Sequence, residues 1–211
     1  MNELRSSLQE YGHPDIIVRV DPKWSVLAEW LPSYFAEEVR GGVTFAADQT
    51  VQVGWSLLKF AATPDGNLSA FEPDFETMPI HWVEGVDRTV SSLVTQRAVC
   101  DDCGVEPAFP SVVQPASAPE ILPTGHQLTM VRSEAQGNHS GWTFHGRDDA
   151  AIRLLSLYEA AVLNRAIVPF LALPAGAVVE QNGEVLSVSI AGRVRTSTSS
   201  EVLAQIAETT A

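Results

Sequence analysis

Basic residues are scarce: 13 lysines and arginines stand against 26 aspartates and glutamates, a formal net charge of −13. A surface of that sign repels phosphate backbones, which argues against nucleic-acid binding and favours steering towards a basic protein. Cysteine is scarcer still. Cys100 and Cys103 form a lone C-x-x-C, so neither a disulfide framework nor a four-cysteine zinc site can be assembled. No apolar run approaches the about 18 residues that a bilayer span requires. The opening MNELRSSLQEYGHPD has no apolar core of the kind a secretory signal carries, so the expectation is a cytoplasmic protein without membrane contact. Neither G-x-G-x-x-G nor G-x-x-x-x-G-K-[ST] nor G-x-S-x-G occurs, which removes the common phosphate loops and the nucleophile elbow.

What is present is a globular composition, 211 residues with 45% hydrophobic and 18% charged, enough for one or two hydrophobic cores. Acidity is concentrated early: residues 1–110 hold 17 acidic and 7 basic side chains, and residues 111–211 hold 9 and 6. Between the halves, residues 106–124 contain prolines at 107, 110, 115, 119 and 123, a composition that predicts a connection rather than a helix or central strand. The expected organisation is therefore residues 1–110, a Pro-rich connection over 111–124, and residues 125–211.

Local patterns predict the elements. Asp21-Pro22 starts a helix carrying Trp24, Leu27, Ala28 and Leu31; Pro32 restarts it, and Gly41-Gly42 stops it. VQVGWSLLKF over 51–60 alternates as a strand, Pro64-Asp65-Gly66-Asn67 turns the chain back, and IHWVEGV over 80–86 reads as a short strand. Asp87 caps a helix running to Gly104. In the second half, residues 128–149 (LTMVRSEAQGNHSGWTFHGRDD) read as a hairpin, with Leu128 and Met130 on one strand and Trp142 and Phe144 sharing a face of the next. A helix from Asp149 follows with Ile152, Leu155, Tyr158 and Val162 on one face. After it come a buried-type strand over 167–173, a hairpin with Asn182-Gly183 at its tip, and a last helix capped by the TSTSSE run. The fold class expected is α+β, mainly antiparallel sheet with helices packed on one side.

Three groups of residues could carry chemistry. In Cys100-Asp101-Asp102-Cys103 the intervening carboxylates oppose thiolate formation, so a redox dithiol is not expected. His139, His145, Asp148 and Asp149 cluster in sequence, but His145 alternates outward opposite Phe144 and an aspartate is wanted as helix cap, so no catalytic group or metal is assigned. The third group is FEPDFETMPIHW over 71–82. There Glu72, Asp74 and Glu76 interleave with aromatics including Trp82, a combination suited to a protein-binding patch.

LTMVRSEAQGNHSGWTFHGRDD, then SLYEAAV and IVPFLALPAGAVV, resemble the immunity-protein family 33 of bacterial polymorphic toxin systems. The resemblance covers roughly residues 125–189 and is carried by the Ser140-Gly141-Trp142 step and by Val168-Pro169 leading into Leu173-Pro174-Ala175-Gly176. Residues 51–60 and 72–83 resemble an N-terminal extension of longer members. The acidic segment that follows the Ser-Gly-Trp step in that family is reduced here to Asp148 and Asp149. The resemblance implies a small protein that binds and neutralises a cognate toxin, with no catalysis of its own. The acidity of residues 1–110, with aromatics in the same segment, places the expected contact at Glu72, Asp74, Glu76 and Trp82; Asp148 and Asp149 are the further expected contact residues, and no cofactor is expected. The alternative is a regulatory or small-molecule-binding domain with a pocket between its halves lined by Trp55, Trp82 and Trp142.

Overall fold

In the computed structural model, residues 1–120, 122, 128–146 and 152–210 are described. The chain divides into two units, Met1–Val94 and Thr95–Ala211. The architecture is α+β, with one largely antiparallel sheet in each unit.

The first unit begins with strands β1 (Asn2–Ser6) and β2 (Ile16–Val20), continues through helices α1 (Ser25–Ala28) and α2 (Trp30–Arg40), and returns to strands β3 (Thr50–Val53), β4 (Ser56–Ala62), β5 (Leu68–Pro73) and β6 (Trp82–Glu84). The order across the sheet is β1-β2-β5-β4-β3, with β6 also paired to β5 and only β2 and β5 parallel. Period-2 alternation aims Ile16, Val18, Val20, Leu58 and Phe60 at one face, where they pack with Leu31, Phe35 and Val39 at four-residue spacing on α2. Phe35, Phe45 and Phe60 meet in tilted and edge-to-face pairs with centroids 5.2 to 5.6 Å apart, the arrangement that ring quadrupoles prefer. Residues 51–60 are not the single strand that alternation suggests. Gly54, at φ 60°, lets the chain turn between β3 and β4 so that Val53 pairs with Ser56.

Helix α3 (Asp87–Cys103) contains the boundary between the units. In the second unit follow β7 (Pro115–Pro119), β8 (Thr129–Arg132), β9 (Trp142–His145), β10 (Ile152–Ser156), α4 (Leu157–Leu163), a 3-10 turn (Arg165–Phe170), β11 (Val178–Asn182), β12 (Val185–Ile190), β13 (Arg193–Thr196) and α5 (Glu201–Thr210). The sheet order is β10-β7-β9-β8-β11-β12-β13. The hairpins of β8 with β9 and of β11 with β12 form as their turns predict.

Three more of the expected elements differ in the structure. The Pro-rich stretch contributes β7, an inner strand between β10 and β9. Its two prolines stand at the strand ends, a single residue pair joins it to β9, and the Pro115 carbonyl still accepts from the Ser140 N–H at 2.9 Å. Residues 152–156 form a strand, and helix α4 begins only after Ser156, whose hydroxyl accepts the Glu159 N–H at 3.0 Å. That is the S-x-x-E start of a helix. The apolar run 167–173 opens in the 3-10 turn instead of a strand, started by Asn164, whose side chain accepts from the Ala166 N–H. A short apolar run fits either conformation, and the cap decides between them.

Candidate partner surface

The acidic and aromatic segment expected at an interface is largely turned inward. Glu72 is 1% exposed, and its carboxylate accepts the backbone N–H groups of Arg88 (2.9 Å) and Thr89 (2.7 Å) at the start of α3. It thus supplies the helix cap that the sequence assigns to Asp87, a negative charge against a positive helix end. Asp87 instead accepts the Asp21 N–H at 2.7 Å. Asp74 is also buried, and it accepts from the Glu76 N–H, the Thr77 hydroxyl and His81 Nδ1. Of the three acids only Glu76 is on the surface, 3.6 Å from Arg88, while Trp82 is half-buried on β6. The patch over 71–82 is therefore corrected: Glu72 and Asp74 hold the fold and present nothing outward. Asp148 and Asp149 lie outside the described residues.

Burial pushes the Glu72 carboxyl above its ordinary value of 4.5, against the opposing pull of the Arg88 and Thr89 N–H groups. Because the folded value is raised, the folded state keeps a proton that the unfolded chain has released. The stability from this group is fully present below pH 4.5 and is lost as the pH rises through the folded value. The stability of the wild type relative to Glu72→Gln is therefore expected to fall as the pH is taken from about 4.5 to 7. Urea unfolding of both proteins at the two pH values measures this, and a relative stability that rises instead would refute the assignment.

Of the three tryptophans proposed for a pocket, Trp82 is half-buried and the other two are enclosed within their own units. Trp55 is 1% exposed, stacks on Phe75 at 5.1 Å and donates Nε1–H to Ser92; Trp142 is 0% exposed and donates to the Leu171 carbonyl at 3.1 Å. Neither ring lines an opening. The buried guanidinium of Arg132 lies over the Trp142 ring at 5.5 Å and donates to the carbonyls of Ala108, Leu171 and Leu173. Burial lowers its pKa to about 10, so the cation persists at neutral pH as a clamp on three stretches of main chain.

The other candidate groups have structural duties. His139 Nδ1 accepts the Gly141 N–H at 2.9 Å, so the neutral ring carries its proton on Nε2 and donates towards Ser117 Oγ at 3.2 Å. In that tautomer it cannot take the serine's proton. His145 is exposed on β9. Cys100 and Cys103 are buried, and burial more than Asp101 pushes the Cys100 thiol up to about 12, with Cys103 raised for the same first reason. Thiolate chemistry is disfavoured at both. Among the described residues no group of three His, Cys, Asp or Glu side chains could hold a metal ion, and no helix is long and apolar enough to cross a membrane.

A surface with the chemistry of an interface is on α1 and α2. Glu29, between them, keeps helical backbone at φ −59° and ψ −22°, so positions 26, 27, 30 and 34 follow helical spacing and fall beside one another. Val26 is 76% exposed, Leu27 and Trp30 are each 44%, and Tyr34 is half-buried with its ring 6.1 Å from that of Trp30. The buried face runs through Leu31, Phe35 and Val39. Acidic side chains flank the exposed stripe: Glu29 and Glu37 face solvent, and Glu38 adds to burial in raising the Tyr34 pKa. The two cations of residues 21–40 are occupied, Lys23 over the Trp24 ring and Arg40 on the Tyr11 hydroxyl. Sequence reasoning passed over this stripe because Leu27 also fits the core spacing. The available signal was Trp30, which falls between Leu27 and Tyr34 and off the line of Leu31, Phe35 and Val39. Comparison with protein-family models, curated proteins and solved structures finds no match.

Proposed function

We propose that this chain is a non-catalytic neutralising protein that binds a basic toxin domain through the exposed face of α1 and α2. The observation that carries the reading is the solvent-facing stripe of Val26, Leu27 and Trp30. Large apolar side chains gathered on a helix surface are a cost in solution unless something covers them, and tryptophan and tyrosine are the residues most often found at the energetic centre of interfaces. The flanking carboxylates and the net charge of −13 select a partner of opposite sign and speed its approach. The resemblance of residues 125–189 to immunity-protein family 33 supports the same class of function, as does the tautomer that removes His139 as a base for Ser117.

The test is binding of the toxin domain encoded beside this protein's gene, measured by calorimetry with wild type and with a Leu27→Ser, Trp30→Ser double variant. Both positions are nearly half exposed, so the variant should keep the wild-type melting temperature. Its affinity should fall by roughly 100-fold, as expected when two central apolar anchors are removed. A folded double variant with undiminished affinity would remove this helix face from the interface. Failure of the wild type to bind that toxin would overturn the proposal as a whole.

A further inference from the structure

The sheet of the first unit has a second face, away from α2, and it is neither flat nor uniformly polar. Register places Arg5, Ile17, Ser69 and Ala61 in one transverse row, with the pairs Glu3–Arg19 and Glu84–Phe71 beside it. The tip of the β4–β5 hairpin, Thr63 to Asp65, forms a wall. The depression they enclose has a volume of about 410 Å³, within the range of small-molecule sites.

Its charges alternate. Arg19 bridges Glu84 and Glu3, and Arg5 lies 3.1 Å from Glu3 and 3.6 Å from Asp15. Ser69, 2% exposed, accepts from Arg19 at 3.2 Å and donates to Glu84 at 2.8 Å, which fixes these two groups over the floor. Asp65 is held in the wall by Thr63 at 2.5 Å and Asn67 at 2.7 Å. Ala61 and Phe71, half-buried, supply apolar surface between the charges, with the buried Ile17 beneath them. A ligand of a single sign meets repulsion here whichever sign it carries. A small molecule with both signs and an apolar side chain meets a partner for each charge and apolar surface beside them. The ion pairs are exposed, with side-chain accessibilities of 32% to 42% for Arg5, Arg19, Glu3 and Glu84, so exchanging protein partners for ligand partners costs little.

We propose that this depression binds a small zwitterion, a free amino acid or a dipeptide with an apolar side chain. The carboxylate would rest on the guanidiniums of Arg5 and Arg19, the ammonium on Glu84 or Asp65, and the side chain over Ile17, Ala61 and Phe71. The site is separate from the face of α1 and α2, and it stands or falls independently of the toxin-binding proposal.

The experiment is a titration of the whole ¹⁵N-labelled protein with L-leucine and, separately, with leucyl-leucine, reading backbone amide shifts. One of the two probes should produce saturable shifts confined to the amides of Arg5, Ile17, Ser69, Ala61 and their neighbours, and which one does so separates the amino acid from the dipeptide. N-acetylating or C-amidating that probe should abolish the shifts, a readout that needs no variant. Arg5→Gln, on an exposed edge strand, and Arg19→Gln should each weaken binding by about tenfold, the loss of one charge-assisted contact. Absence of saturable shifts with both probes would overturn the proposal, and so would binding that survives either blocking group.

Discussion

Substituting alanine for Gly141 is expected to be the most damaging single-methyl change in the second unit. Gly141 has φ 85°, and a Cβ placed on it would lie 2.2 Å from the Ser133 carbonyl oxygen. That oxygen belongs to the opposite side of the β8–β9 connection, where Ser133 donates its N–H to the Gly141 carbonyl at 3.0 Å. The obstacle is main chain, with no flexible side chain to move aside, so the turn has to open. Opening it also removes the Gly141 N–H from His139 Nδ1. The left-handed conformation and the clash together should cost at least about 3 kcal/mol, lowering the melting temperature by roughly 10 °C. Thermal unfolding followed by circular dichroism checks this. A variant melting within about 2 °C of wild type would show that the turn has another accessible shape.

Trp142→Ala should be comparably severe, at about 3 to 5 kcal/mol by urea unfolding. The ring is fully buried beside Met130 and Phe144 on the same face of the sheet, its N–H holds the Leu171 carbonyl, and its surface carries the Arg132 guanidinium. Removing it leaves a cavity next to a buried cation, and that combination is costlier than either alone. Trp142→Phe keeps most of the volume and loses the hydrogen bond, so its cost should be nearer 1 to 2 kcal/mol, roughly the worth of one buried bond. An alanine variant with wild-type stability but no partner binding would make the ring an interface anchor and refute its structural role.

The elements that could be read from local sequence are those whose determinants are local. Asn182-Gly183 and Pro64-Asp65-Gly66-Asn67 turn the chain wherever they occur, and both hairpins are present. The start of α4 was also readable, since Ser156 and Glu159 have the spacing of a capping box, but the longer periodicity of Ile152, Leu155 and Tyr158 competes with it. In the structure Ile152 and Leu155 lie on a strand. Strand β2, Ile16–Val20, is a β-branched run whose signature is local, although the expected elements include no strand there. Strand β7 had no such signature: it became an inner strand because neighbours on both sides pair with it, and its two prolines, which cannot donate, stand at its ends, where the Pro115 carbonyl still accepts.

The candidate sites divide the same way. Charge sign, the lone C-x-x-C and the missing phosphate loops are properties of the chain, and they narrowed the chemistry before any fold was known. Which carboxylates face water was not such a property. Glu72 and Glu76 sit four residues apart in one acidic stretch, yet the first caps α3 at 1% exposure while the second is on the surface. Strand direction and the position of a helix distant in sequence made that choice. Trp30 could be placed off the core line of its helix from spacing alone, but that it stays 44% exposed is a fact of packing. The depression on the outer sheet face depends on β1, β2, β5 and β6, joined in that order by non-local pairing. Sequence by itself determined composition, sign and the local turns, because those follow from each residue and its near neighbours. Tertiary structure alone decided which charges are buried and which meet, because burial and proximity depend on contacts between residues far apart in the chain.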